Sequence, residues 1–264
     1  MIDKEKSLEY SYEMAIMNAK RHSVVHQYTT FEALEKIIDN KSLLLRRVDL
    51  LNDIMENDCL YEIWKKKIYV SCFTHRENES YFFWKTYAKG SSDGVMITFE
   101  IKHLSDLTIY PDAECKRNSL CVCKKTDLNI EYSPDVNSVS WGIYDYSCVD
   151  VLYLARNDSI NGIEHHQGRI KYVEWDMERE TRIRVALRPR CLEFKREGKT
   201  FKYFVPSAEH IYVKLSELCL ESLVITLSPF ASISLKQRVD ELLIKNNLDG
   251  KVQVKNSVLS GEVK

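Results

Sequence analysis

The chain has 264 residues, 44% hydrophobic and 29% charged, with a formal net charge of −1. That composition excludes collagen-like, low-complexity and disordered chains, and it supplies enough apolar residues for a full buried core. Only 8 Gly and 5 Pro are spread along the length with no Ser-, Gly- or Pro-rich linker, so a single domain over residues 1–264 is expected, with residues 1–23 as an N-terminal helical extension.

The N-terminal residues mix acids and lysines without an apolar run, unlike a signal or transit peptide, which predicts a cytoplasmic protein. The longest uncharged stretch, residues 222–235, contains Pro229 and is too short for a bilayer, so no membrane partner is expected. The 8 Cys are scattered, which favours reduced thiols. Cys115, Cys121 and Cys123 lie close together, but no second Cys-x-x-Cys or His pair completes a zinc set, so no metal is expected.

Residues 24–28 read as a strand, and Thr29-x-x-Glu32 as a capping box opening a helix that buries Phe31, Leu34, Ile37 and Ile38 and ends at Asn40. Residues 43–45 and 68–73 are apolar, partly β-branched strands. Between Ser80 and Ala88 the aromatic residues fall at helical spacing, and a strand follows over 95–100. Residues 103–164 are polar and hard to read, with a helix expected around 145–157. Order returns at Ile170, and residues 180–187 alternate, with Thr181, Ile183, Val185 and Leu187 opposite Glu180, Arg182, Arg184 and Ala186. A strand at 223–227, a helix carrying Leu235, Val239, Leu242 and Leu243, and a strand at 251–255 close the chain. This mixture, without a βαβ rhythm or a Gly-rich phosphate loop, predicts an α+β fold.

The net charge conceals two blocks. Residues 127–164 hold seven acids and one base, and residues 182–202 hold eight bases and two acids. The basic block includes Arg182, Arg184, Arg188, Arg190, Lys195 and Arg196 and is followed by Phe201, Tyr203 and Phe204, a pattern suited to tracking a phosphate backbone and stacking bases. A solvated hairpin turning at Glu197-Gly198-Lys199 accounts for it equally.

Three polar groupings stand out. His26-Gln27-Tyr28-Thr29 places hydrogen-bonding side chains on both faces of a strand expected to be internal. Trp84-x-x-Tyr87 puts two polar-tipped rings on one short helix. Glu178-x-Glu180-x-Arg182 sets two carboxylates and a guanidinium on one strand face, about 7 Å apart. Carboxylates so close raise one another's pKa unless a cation compensates, as Arg182 is placed to do, and such a pair suits an oxocarbenium-like ribosyl transition state. The alternative is an exposed Glu/Arg ladder on an edge strand.

Val25-His26-Gln27-Tyr28-Thr29, Leu51-Asn52-Asp53-x-x-Glu56, Val70-Ser71-Cys72-Phe73, Phe83-Trp84-x-x-Tyr87-Ala88, Gly94-Val95-Met96-Ile97-Thr98-Phe99 and Trp175-x-x-Glu178-x-Glu180-x-Arg182 occur in that order. The set resembles a widespread, largely bacterial family of unknown function with Y-x-T, F-N-D-P-x-E, C-F-S, W-x-x-Y-A and W-x-x-E-x-E-x-R hallmarks, itself distantly similar to the DarT-like ADP-ribosyltransferase toxins. The likeness spans nearly the whole chain. It implies an ADP-ribosyltransferase fold, a split and mostly antiparallel sheet with flanking helices whose cleft holds NAD.

It further implies that Glu180 is catalytic, with Glu178 helping to place the acceptor. NAD would be held by His26, Gln27, Tyr28, Thr29 and Ser71, with Tyr28, Trp84 or Tyr87 stacking on it. The chain departs from the pattern in having His26 then Gln27 where relatives carry an aromatic then His or Lys, so either residue is left to face NAD. Ile54 replaces the Pro after Asn52-Asp53, and Arg46 and Arg47 stand where small polar residues are usual, suiting the NAD pyrophosphate or a surface role. His165-His166 has no counterpart in the pattern and is read as loop.

The expectation is an NAD-dependent ADP-ribosyltransferase, a toxin or phage-defence effector. It would modify single-stranded RNA or DNA, bind it through Arg182, Arg184, Arg188 and Arg190, and be restrained by an antitoxin or similar neutralising protein. The acidic block 127–164 would cover the basic groove or meet that partner. An NAD glycohydrolase, a protein-directed transferase and a non-catalytic nucleic-acid binder remain as alternatives.

Overall fold

The structure, a computed structural model, describes residues 21–51, 65–105, 141–156, 168–189 and 208–262. The expected N-terminal helix, Asn52-Asp53-x-x-Glu56, the Cys115–Cys121–Cys123 cluster, most of the acidic block, His165-His166 and the basic segment from Arg190 onward lie outside them.

The strands are β1 Val24–Thr30, β2 Ser42–Arg47, β3 Ile68–Thr74, β4 Gly94–Glu100, β5 Trp141–Asp150, β6 Leu152–Leu154, β7 Ile170–Tyr172, β8 Glu180–Pro189, β9 His210–Lys214, β10 Val224–Leu227 and β11 Gln253–Asn256. The helices are α1 Phe31–Asn40, α2 Tyr81–Thr86, α3 Ile101–Ser105, α4 Glu217–Glu221 and α5 Ile233–Lys245, with 3-10 segments at Val48–Leu50 and Val173–Glu178. Among the described residues nine strands form one mixed sheet in which only β10–β11 is parallel, and β6 and β7 form a separate parallel pair. The fold is α+β, as the sequence predicts. Among the described residues no helix is long and apolar enough to cross a membrane.

Helix α1 forms because Phe31, Leu34, Ile37 and Ile38 bury one stripe. The capping box does not form. Thr30 rather than Thr29 is the N-cap, its side chain makes no capping hydrogen bond, and Glu32 instead pairs with Lys36 one turn on. The helix stops where Lys41 adopts the left-handed conformation, with φ 48°. In α5 the same periodicity buries Leu235, Val239, Leu242 and Leu243.

The helix expected around 145–157 is replaced by strands β5 and β6. β5 pairs antiparallel with β8 from Trp141↔Pro189 to Asp150↔Thr181, placing Cys148 in the main core with Tyr146 packed beside it. The ladder with β8, a partner distant in sequence, decides the conformation here over local pattern.

The main core lies on one sheet face. There Val25, Phe73, Ile97, Phe99, Ile183, Val185, Ile211, Val213 and Ile225 meet the apolar faces of α1 and α5. The opposite face carries two smaller clusters: Tyr28, Phe83, Trp84, Ala88 and Met96, and Val48, Ile68, Val70 and Ala186. Between them the sheet is divided. β3 pairs with β8 along its whole length on one edge, but on the other edge it meets β1 only at His26↔Thr74 and β2 only at Val70↔Arg46 and Tyr69↔Arg47. β1 and β2 part in front of residues 71–73. The Gln27 amide reaches into the gap, 3.4 Å from the Cys72 carbonyl oxygen and 3.5 Å from Ser71 Oγ.

Gly168, at φ +75°, brings the chain in front of β7 close over β3: a Cβ added there would lie 2.8 Å from Ile68 Cγ2. Its carbonyl oxygen accepts a hydrogen bond from Arg182 Nη1 at 2.9 Å. Left-handed strain and the clash together make Gly168→Ala destabilising by about 2–4 kcal/mol. Urea denaturation checks this; an unchanged midpoint contradicts it.

Candidate functional site

The gap opens into a cavity of about 420 Å³ on the sheet face opposite the main core, a size ordinary for a small-molecule site. Its walls come from β1 (His26, Gln27, Tyr28), β2 (Leu44, Arg46), β3 (residues 70–74), α2 and its end (Phe83, Thr86, Tyr87), β7 (Lys171), the second 3-10 segment (Trp175, Glu178) and β8 (Glu180, Arg182).

Glu180 opens β8, and its strand lies between β3 and β5. Both edges of β8 are therefore paired, and Glu180 and Arg182 are 4% and 0% exposed, which excludes the edge-strand ladder. Glu178 does not share the strand face as its spacing suggests. It ends the 3-10 segment, and Arg179, at φ 42°, turns the chain so that Glu178 and Glu180 still converge on one side. Thr74 Oγ1 donates to the Glu178 carbonyl at 2.6 Å and the His75 amide to the Arg179 carbonyl at 3.0 Å, fixing that turn to the end of β3.

Around the carboxylates every partner is charged or polar. Arg182 grips Glu180 bidentately, Nε to Oε1 at 2.7 Å and Nη2 to Oε2 at 3.0 Å. Lys171 Nζ lies 2.9 Å from Glu180 Oε2 and 2.5 Å from Glu178 Oε2. Tyr87 donates its phenolic hydrogen to Glu178 Oε1. Burial disfavours ionised Glu180, but the Arg182 and Lys171 charges and hydrogen bonds from Arg182 and Cys72 outweigh it, holding the pKa at about 2. Desolvation and the Glu180 charge push the Cys72 thiol well up, so it stays protonated. Burial, then the bond to Glu178, raises the Tyr87 phenol far above its usual range. Across the cavity, burial and Lys255 lower the His26 pKa to about 4, so this ring, 2.9 Å from Thr98 Oγ1, is neutral at pH 7.

Of the residues expected to hold a ligand, His26, Gln27, Tyr28, Arg46, Ser71 and Tyr87 line the cavity with Glu178, Glu180 and Arg182. Trp84 does not. It is fully buried beneath Tyr28, rings 4.8 Å apart edge to face, with its indole N–H on Glu79, and so has no face to offer. Thr29 lies outside the lining. Arg47 is held by Asp49 at 2.7 Å and by the Ala208 carbonyl oxygen. Arg184 is buried in the sheet, and Arg182 is committed to Glu180, so neither is presented to a nucleic acid as their place in the basic block suggested. Arg188 lies on β8 and Arg190 outside the described residues.

Lys171 and Trp175 escaped the sequence reading. Trp175 stands in the W-x-x-E motif but was not read as a wall; Lys171 gave no signal, because only the fold carries it to residues seven and nine positions on. Lys171 Nζ also lies 5.3 Å from the Trp175 ring centroid, a cation–π distance.

A second polar cluster lies beside Thr181. His22 stacks on His75, centroids 3.9 Å apart and planes 8° from parallel. Asp150 accepts from Thr181 Oγ1 at 2.6 Å and lies 2.9 Å from His22 Nε2. In-plane lone pairs of parallel stacked rings do not meet at one point, so this is a hydrogen-bonded clip as it stands. Asp150, within the acidic block, is thus occupied inside the molecule. Compared with protein-family models, curated proteins and solved structures, the chain matches none.

Two predictions follow from the charges. Arg182→Met leaves Glu180 buried with one cation fewer and costs about 3–5 kcal/mol, largely recovered in Arg182→Met/Glu180→Met; urea unfolding of the three proteins checks it. Stability also falls on acidification in two windows. His26 and His75 each have a pKa of about 4, burial being the main cause, against 6.5 unfolded, so the unfolded chain binds more protons between those values and stability is lost as pH drops from 6.5 to 4. Glu180, about 2 against 4.5, extends the loss from 4.5 to 2. His26 accounts for about 3 kcal/mol of this, so His26→Gln roughly halves the loss in the upper window and leaves the part due to His75, read as the urea midpoint from pH 7.5 to 4.5.

Proposed function

We propose that this protein is an NAD-dependent ADP-ribosyltransferase acting on single-stranded nucleic acid, with the divided sheet as an ADP-ribosyltransferase-like cleft. The observation that carries the reading is the buried Glu178–Glu180–Arg182 group at the floor of a cavity that opens where β1 and β2 part from β3. Loss of nicotinamide leaves positive charge on the ribose ring, and a carboxylate already ionised and held by rigid partners stabilises it without reorganising. Glu180 suits that role and not that of a base, since a carboxylate with a pKa near 2 takes up almost no proton at neutral pH.

Tyr87 and Trp175 offer aromatic surface for the nicotinamide, Gln27 and Ser71 hydrogen bonds for its amide or ribose, and Arg46, exposed at the rim, a partner for the pyrophosphate. Glu178, bonded to Tyr87, stands beside Glu180 where an incoming acceptor is oriented. A nucleic-acid acceptor is the reading of the basic, aromatic sequence of residues 188–204, without the buried Arg182 and Arg184. In the same reading the protein is a toxin or defence effector held in check by a neutralising partner.

The test incubates NAD labelled in both its nicotinamide and its adenylate half with the protein alone and with RNA, DNA or cell protein. Nicotinamide release that rises with single-stranded nucleic acid, with label from the adenylate half appearing on it, is expected. Glu180→Gln lowers release about 10²–10³-fold. Trp175→Ala raises KM for NAD, whereas Trp84→Phe lowers stability and leaves KM unchanged. No release under any condition by folded protein overturns the proposal, and release to water alone reassigns it as an NAD glycohydrolase.

A further inference from the structure

Lys171 occupies a position that no other described cation shares. Arg182 reaches Glu180, but Lys171 reaches both acids, 2.5 Å from Glu178 Oε2 and 2.9 Å from Glu180 Oε2, with its side chain 10% exposed. It arrives on β7, whose only strand partner among the described residues is β6, so the ammonium is brought to the acids from outside the nine-stranded sheet that carries Glu180. Two anchors hold that segment in place: the Gly168 carbonyl oxygen accepts from Arg182, and the Arg169 carbonyl oxygen from the Leu152 amide at 2.7 Å.

We propose that Lys171 is the positioning residue of this site, holding Glu178 and Glu180 ionised side by side by placing one ammonium between their facing oxygens. The proposal rests on the reading of the cavity as the site of ADP-ribosyl transfer, to which it adds how two acids are kept charged in one buried place. Two buried carboxylates at this distance repel, and without a cation between them the pair takes up a proton. Arg182 prevents this for Glu180 from the strand side only. Glu178 has Tyr87 as its other side-chain partner, and a phenol whose pKa is raised donates a hydrogen bond without supplying charge.

The titratable and charged groups facing the pair come from every surrounding element: Cys72 on β3, Tyr87 at the end of α2, Tyr153 on β6, Lys171 on β7, Arg182 on β8, and His26 and Arg46 across the cavity. Tyr153 accepts the Glu180 amide hydrogen at 2.8 Å, and burial raises its phenol far above the usual range. Cys72 and the two phenols stay protonated and His26 neutral near pH 7, so in that range, among the described residues, Lys171 and Arg182 are the cations beside the acids.

The experiment compares wild type with Lys171→Met, Lys171→Gln and Lys171→Arg in two measurements. The first needs no NAD: side-chain carboxyl ¹³C shifts of labelled Glu are followed against pH in the full chain. In Lys171→Met or Lys171→Gln the pair should take up its first proton on the order of one pH unit or more higher than in wild type. Lys171→Arg should restore the wild-type titration, and so should Lys171→Met/Glu178→Gln, in which one of the two like charges is gone. The second is the pH profile of nicotinamide release, whose acid limb should move up by the same amount in the Met and Gln variants and return in Lys171→Arg.

If the carboxyl titration is unmoved in both neutral variants, or Lys171→Arg fails to restore it, Lys171 does not hold the pair and the proposal is overturned, whatever the activity. A shifted titration with no nicotinamide release from any protein supports the role of Lys171 and removes the transferase reading instead. Should Lys171→Met fail to fold, Lys171→Gln, which keeps a hydrogen-bonding group at the same place, carries both measurements.

Discussion

Arg182 and Glu180 lie two residues apart on a strand with neighbours on both edges, and most of what surrounds the cavity is arranged around that ion pair. Removing both charges from water is costly and is repaid only with good geometry and further polar partners. The surroundings supply them. The bidentate grip occupies both Glu180 oxygens, and the remaining guanidinium reach goes to the Gly168 carbonyl oxygen, pulling a distant segment across β3. The Glu180 amide is bonded to Tyr153 and its carbonyl oxygen to the Val151 amide, so the first residue of β8 also fixes the end of β5 and the start of β6. That buried pair thereby determines where Lys171 and the Glu178 turn come to rest.

A sheet that packed both faces equally would leave no cavity. Here the large apolar cluster lies on one face, while the other has two small clusters separated by the polar groups of β1, β3 and β8. The division of the sheet falls over the same place, because β3 meets β1 at one residue pair and β2 at two. Backbone groups of residues 71–73 that a continuous ladder would occupy face the opening, and the Gln27 amide takes one of them. Polar recognition groups are thus available without a loop having to supply them.

Burial and charges in direct contact set the protonation states. Glu180 is ionised far below neutrality because two cations overcome its burial, whereas His26, Cys72, Tyr87 and Tyr153 are kept neutral by theirs. The cavity is therefore a place of few, fixed charges lined by uncharged donors and acceptors, a setting in which charge developing on a bound molecule is felt strongly.

By itself the sequence determined the apolar periodicities and the residue types available for chemistry. The stripes of α1 and α5, the strands β1, β3, β4, β8 and β10, and the Glu178–Glu180–Arg182 grouping were all legible, since each is a local pattern with a period of 3.6 or 2 or a fixed offset. Burial was not legible. Whether the polar face of β8 was a solvated ladder or a buried site depended on β5, and β5 itself read as helix because its β conformation comes from pairing with β8 rather than from its own propensity. The two rings of Trp84-x-x-Tyr87 looked alike in sequence, yet one is sealed under Tyr28 and the other opens on the cavity. Lys171 had no motif to mark it. Only the tertiary structure brought its ammonium between the two acids, because that contact is made by a separate two-stranded sheet laid against the first, and packing of this kind leaves no periodic trace in the chain.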